Sequence, residues 1–317
     1  MLSLIMTSTK EIIGKFKKIY EGQNQVENIE SIENKLKLKI YNVESELEIL
    51  DKGLKTNDGF DLRRSYTLQG KISYGNKEID ENFYKFVNIV NLNSTLSSLI
   101  YFNEDDSLKF TSRYFEYDQE NLNMKDFQIK TMMHQIRNNA LQFENTLHGA
   151  KEDFQAFRDK HFKDLEVPKA IENGEFLKSI DKYKPRYAIN GDNEGLTVEF
   201  PLDGKSYSKS LGPEHNTSLL QILTGNTHPV FGRGIFCLLN LPVNCKSFEQ
   251  INNLNKHEYS LEDAPPFFGS WCSQDIGKHI SFICFIPNNL YIEGLVDYLI
   301  LWMMIRSEDT YRYLTTN

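Results

Sequence analysis

Seven histidines and four cysteines are the residues of widest chemical reach in this 317-residue chain. Their spacing limits what they can do. Zinc sites draw His, Cys and carboxylate ligands from tightly spaced sets. Neither HExxH nor CxxC occurs among His134, His148, His161, His215, His228, His257, His279 and Cys237, Cys245, Cys272, Cys284. His215 and His228 flank Leu219 to Leu223, with Glu214 beside the first and Cys237 downstream. That grouping would suit a metal or an acid–base pair, but its setting reads as a surface loop. Gly232-Arg233-Gly234 could present a guanidinium to an anion. No GxxxxGK[ST] and no strand–GxGxxG–helix surrounds it, so a tight bend entering a strand is the expectation. Arg233, His215 and His228 are the candidate contacts for an anion or small ligand.

Nucleophiles are scarcer still. Gly269-Ser270-Trp271-Cys272-Ser273 lacks the GxSxG pattern. Cys272 sits in an aromatic strand-like run, where cysteine packs as a small hydrophobe. A reactive thiol needs a neighbouring base and an electropositive setting. Glu104-Asp105-Asp106 could hold a cation at a hairpin tip, although solvated turn carboxylates are the simpler reading. No catalytic residue, metal or cofactor is assigned, and an enzyme is not expected.

Aromatic side chains offer a different chemistry. The chain has 21 Phe, 16 Tyr and 2 Trp, enough to furnish both cores and a recognition surface. Tyr and Trp combine contact area with a polar handle. Tyr66, Tyr74, Tyr101, Tyr114 and Tyr117 fall on strand-like runs. Tyr101, Tyr114, Trp271 and Trp302 are the candidate protein-interface residues.

Charge narrows the partners. The formal charge is −8, and no clustered basic face recommends a nucleic-acid backbone. Residues 191–317 hold 8 Lys+Arg against 14 Asp+Glu, a net of −6 that leaves −2 for the first 190. All four cysteines lie in that acidic second half without a disulfide spacing, which implies a reducing compartment. MLSLIMTSTK lacks a basic n-region and a long apolar run, so no signal peptide is expected. Leu295 to Ile305 is too short and contains Asp297, so no membrane span is expected there. The expectation is a cytoplasmic protein.

The elements follow from periodicity. Thr7 to Thr9 followed by Glu11 marks a helix start, and Ile12, Ile13, Phe16 and Ile19 or Tyr20 share a face. Leu36, Leu38 and Ile40 alternate with lysines, the pattern of a half-buried strand. Residues 45–54 are ambiguous between strand and turn. Tyr66 to Tyr74 forms a strand in which Gly70 predicts a bulge or bend. A helix spans about 79–90. Residues 96–102 and 108–117 make a hairpin around Asn103-Glu104-Asp105-Asp106, and a long helix starts near Met124. Residues 151–168 read as a helical connector.

The plan then repeats. A helix at 169–182, strands at 196–201 and 230–241, a short helix at 248–254, a hairpin at 267–272 and 280–286, and a helix from about Tyr291 echo the first order. Phe86-x-x-Ile89-x-Asn91 is matched to Phe248-x-x-Ile251-x-Asn253, and Ile136-Arg137 to Ile305-Arg306. The predicted fold is α+β: two tandem α-β-β-β-α-β-β-α units at 1–150 and 169–317, antiparallel sheets against helices, pseudo-dimeric. The second unit carries an insertion-like stretch at 205–229. Its closing helix has an unbroken apolar run from Leu299 to Ile305, which predicts burial on more than one side, at a domain or subunit interface. The first unit's closing helix, polar-faced with Lys130, His134, Gln135 and Asn138, is expected to face water.

This order, with its strand–turn–strand–helix core, resembles the type III secretion chaperone-like fold, including YbjN-type domains, in tandem. The resemblance covers 8–148 and, less cleanly, 169–315. It implies a small acidic non-enzymatic protein that binds a protein client, often as a dimer, and it carries no site residues across. A protein-binding adaptor is therefore the first expectation. The alternatives are a component of a toxin–immunity or phage-defence system, or an enzyme with a site in the second unit.

Overall fold

A computed structural model divides the chain into two compact units, residues 1–76 with 100–150, and residues 77–99 with 151–317. The structure describes residues 8–22, 26–40, 43–55, 61–72, 74, 78–93, 96–117, 174–202, 217–224, 227–228, 232–261, 265–288, 291 and 294–316. The long helix expected from Met124, the connector and most of 205–229 lie outside the described residues.

The first unit opens with α1 (Thr9–Tyr20). Ser8 and Glu11 form a reciprocal capping box, which satisfies backbone donors that a helix start leaves open. Ile12, Ile13, Phe16 and Tyr20 are buried on one face. The sheet behind them contains β1 (Val26–Ile32), β2 (Lys35–Ile40), β3 (Val43–Lys55), β4 (Asp61–Ile72), β5 (Ser98–Phe102) and β6 (Ser107–Tyr117). Its order is β1-β2-β3-β4-β6-β5, and β1–β2, β2–β3, β3–β4 and β4–β6 pair antiparallel. Strand β1 adds to the three strands expected between the first two helices. Gly70 forms no bulge: it pairs in unbroken register with Ser45 and Phe110. A Cβ there would come 3.1 Å from the Val43 side chain, so the glycine admits close packing inside the sheet. The register breaks fall instead between Asp51 and Leu54 and between Leu62 and Arg64.

The second unit repeats the topology. It comprises α3 (Glu175–Tyr183), β7 (Ala188–Gly191), β8 (Gly195–Pro201), β9 (Thr217–Leu223), β10 (Thr227–His228), β11 (Gly232–Asn244), α4 (Phe248–Ser260), β12 (Ser270–Cys272), β13 (His279–Pro287) and α5 (Leu295–Thr316). Its strand order, β7-β8-β9-β11-β13-β12, is that of the first sheet, with β10 added beside β11. Helix α5 lies over β8, β9 and β11 and against α3. Leu299, Ile300, Trp302 and Met303 are buried there, while Leu301, Met304 and Ile305 are partly exposed. Glu175 of α3 accepts from the Gly294 N–H at 2.9 Å, and Asp297 accepts from Ser179 at 2.7 Å. Among the described residues no helix is long and apolar enough to cross a membrane.

Helix α2 (Glu81–Asn93) departs from the expected boundary at residue 150, because residues 77–99 group with the second unit. The cause is polar as well as apolar. Tyr84, Val87 and Val90 are buried, and between them so are Asn88 and Asn91. Asn88 donates to the Ser273 carbonyl at 2.8 Å and accepts from the Ser273 N–H at 3.0 Å. Asn91 makes the same pair of bonds with Leu99, at 3.0 and 2.7 Å. In α4, Asn255 does so with Trp271, at 2.8 and 2.7 Å. The true correspondence is therefore Tyr84-x-x-Val87-Asn88-x-Val90-Asn91 with Phe248-x-x-Ile251-Asn252-x-Leu254-Asn255, two positions away from the sequence-based match. Ile89 and Asn253 are both exposed in this register. Asn255→Ala would strip partners from one buried N–H and one buried carbonyl. A loss of roughly 2–4 kcal/mol is expected in urea unfolding, against under about 0.5 kcal/mol for the exposed Ile89→Ala.

Candidate protein-binding face

Strand alternation gives the second sheet two faces of different fate. Leu196, Val198, Phe200, Leu220, Ile222, Cys237, Leu239, Phe282 and Cys284 are buried on the face that carries α5. The residues between them point the other way. Register sets Leu223 opposite Phe236 and Phe236 opposite Phe285. The next rung runs Gln221–Leu238–Ile283, and the third Leu219–Asn240–Ser281. Leu219, Phe236, Leu238 and Ile283 are partly exposed, and Leu223 is 38% exposed. Ser281 donates to the Asn240 side chain at 2.6 Å and closes the patch on one side with a polar pair. Glu199, opposite Leu219, gives its β8 border an acidic group.

On the first sheet the corresponding face of β2 and β3, the counterparts of β8 and β9, is charged. Lys35, Lys37 and Lys39 of β2 face Glu48, Glu46 and Glu44 of β3 across the ladder. Lys35 reaches Glu46 at 2.9 Å and Glu48 at 3.4 Å, and Lys37 reaches Glu46 at 3.8 Å. Hydrogen bonding to Glu46 raises the pKa of Lys35. Such a surface is at ease in water, whereas five apolar side chains across adjoining strands are not.

The four aromatic candidates are not on this face. Tyr101, Tyr114, Trp271 and Trp302 are all buried, so they serve packing and cannot form an exposed docking patch. Trp302 stands edge-on to Phe268. Tyr101 donates to Asp106 at 2.7 Å, and Tyr74 donates to the same oxygen. Trp271 belongs to a buried polar chain. Its indole N–H donates to Glu258 at 2.5 Å, and Arg306 Nε donates to the other Glu258 oxygen at 2.6 Å. A second Arg306 nitrogen reaches the Pro266 carbonyl at 2.8 Å, and the guanidinium stacks 4.0 Å from the Phe282 ring centre. Glu258 and Arg306 are 4% and 1% exposed.

The ligand candidates do not assemble into a described site. Arg233 is exposed on β11, opposite Thr227, and His228 pairs with Gly232. The His228 side chain and all of His215 lie outside the described residues. Cys237 and Cys284 are direct partners across β11 and β13, and both are buried. Burial pushes the Cys237 and Cys272 thiols up, away from thiolate chemistry. At the hairpin tip, Asp105 accepts from Ser107 and Lys109, and Asp106 from the two tyrosines. These bonds hold both carboxyls below their usual range. Among the described residues no group of three or more His, Cys, Asp or Glu could hold a metal ion.

No protein-family model, curated protein or solved structure matches this chain.

Two expected outcomes follow from these side-chain networks. Glu258→Gln leaves the Arg306 charge buried without its counter-ion, so urea unfolding should show a loss of roughly 3–5 kcal/mol. Glu258→Leu combined with Arg306→Met should recover a large part of that loss. The second outcome concerns pH. A carboxyl with a lowered folded pKa stabilises fully above its unfolded value near 4 and loses that contribution as pH falls through the lowered one. Tyr74 and Tyr101 ring resonances should therefore stay unchanged from pH 7 to 5 and move only in stronger acid, as read by NMR titration.

Proposed function

We propose that this chain is a protein-binding adaptor of chaperone-like type that engages its partner through the apolar outer face of β9, β11 and β13. The observation that carries this reading is the contrast between two sheets of one topology. One presents a lysine–glutamate ladder between β2 and β3, and the other presents Leu219, Leu223, Phe236, Leu238 and Ile283 across β9, β11 and β13. Apolar area of this kind gains free energy when another surface removes it from water, at about 25 cal/mol per Å². A partner segment with apolar side chains on one side and basic groups toward Glu199 is complementary to it.

A photo-crosslinking amino acid placed at position 238, in cells that naturally make the protein, should give one dominant protein adduct. The same group at Lys37, on the charged face, should not. A Leu238→Asp chain with unchanged circular dichroism should lose association with that partner. Equal labelling from both positions, or an unchanged association of the Leu238→Asp chain, contradicts the proposal.

A further inference from the structure

The charged face of the first sheet contains a groove of about 450 Å³, within the size range of small-ligand sites. One wall is built by an irregularity. Strand β1 breaks register with β2 between Glu27 and Glu30, and Asn28 takes a φ of 52°. Positive φ is uncommon outside glycine, and asparagine tolerates it best. Bulges of this kind re-aim side chains, and Asn28 lines the groove.

The floor is a single rung across four strands, Lys39–Glu44–Lys71–Lys109. Lys71 and Lys109 stand directly opposite each other, an unfavourable placement for like charges. Lys109 is held in place, 2.6 Å from Asp105 and 4.8 Å from the Phe102 ring centre. Lys71 is exposed, stands opposite Glu44 on its other side, and is attracted by Asp105 and Asp106 without forming an ion pair among the described residues. An anion set between the two ammonium groups relieves their repulsion. The neighbouring rung supplies Glu46 and Gln69, which with Asn28 and Glu44 match hydroxyl groups as acceptors and amide donors. Among the described residues no aromatic side chain lines the groove, so none of them would stack on a nucleobase.

We propose that this groove binds a phosphorylated polyol of sugar-phosphate size, with the phosphate between Lys71 and Lys109 and the hydroxyls against Glu46, Gln69 and Asn28. This site is independent of the apolar face of the second sheet.

The test is a titration of the full chain, labelled with ¹⁵N, with glucose 6-phosphate, glucose and inorganic phosphate as separate probes. Glucose 6-phosphate should shift the backbone resonances of Asn28, Gln69, Lys71 and Lys109, and bind at least about tenfold more tightly than either of the other probes. Lys71→Met should weaken that binding by about tenfold or more, and Lys71→Arg should retain most of it. Because Lys71 is exposed, both variants should fold, and circular dichroism checks this. Phosphate binding as tightly as the sugar phosphate would mean an adventitious ion only and would overturn the proposal. Absence of shifts at these residues, or an unchanged affinity in Lys71→Met, would overturn it as well.

Discussion

The carboxamide of asparagine carries a donor and an acceptor side by side, as one strand residue offers to its neighbour. Three buried asparagines use that likeness. Asn91 closes a two-bond ring with Leu99 of β5, while Asn255 and Asn88 do so with Trp271 of β12 and with Ser273 just beyond it. Strands β5 and β12 are terminal in their sheets. An open strand edge is a template for unwanted pairing. Here side chains from helices α2 and α4 occupy the edge hydrogen-bonding groups at those residues. They do so in the interior, where an unmade bond is costly.

Once those edges are closed, other features fall into place. Trp271, fixed through its backbone by Asn255, can aim its indole at Glu258, which in turn meets Arg306 of α5. A buried ion pair of this sort adds little net stability compared with apolar residues of the same volume, but a broken one is expensive. It therefore selects one placement of α5 over others. The opposite edges are treated differently. Strand β1 is interrupted by its bulge and carries Glu27 and Glu30, and β7 is only four residues long. Both are recognised ways of blunting an edge. What the second unit leaves open is a face, and that face is apolar.

Local signals were the legible ones. The Ser8–Glu11 capping box, the lysine alternation of β2 and the four-residue hairpin loop at 103–106 each depend on residues a few positions apart. The duplicated topology was also readable, through the order of elements. Periodicity does not reveal strand β1, because its bulge breaks the period-2 pattern of Val26-Glu27-Asn28-Ile29-Glu30. Phe86 and Ile89 carry the apolar spacing of a core pair and so set the sequence match two positions out, whereas Ile89 is 48% exposed and Tyr84, Val87 and Val90 are buried. The better signal was Asn-x-x-Asn set among apolar residues in both copies. Residue type alone does not separate core aromatics from surface ones, and Tyr101, Tyr114, Trp271 and Trp302 belong to the core. The apolar outer face was present in the sequence as Ile235-Phe236-Cys237-Leu238-Leu239, a run apolar at consecutive positions and hence on both faces.

Amide hydrogen exchange at Leu99, Trp271 and Ser273 tests the central claim most directly, because their N–H groups would be open to water on unprotected edges. Closure by Asn91, Asn255 and Asn88 predicts protection at these three amides comparable to that of Leu239 or Phe282 in the sheet interior. Exchange as fast as at an exposed strand edge would contradict the account.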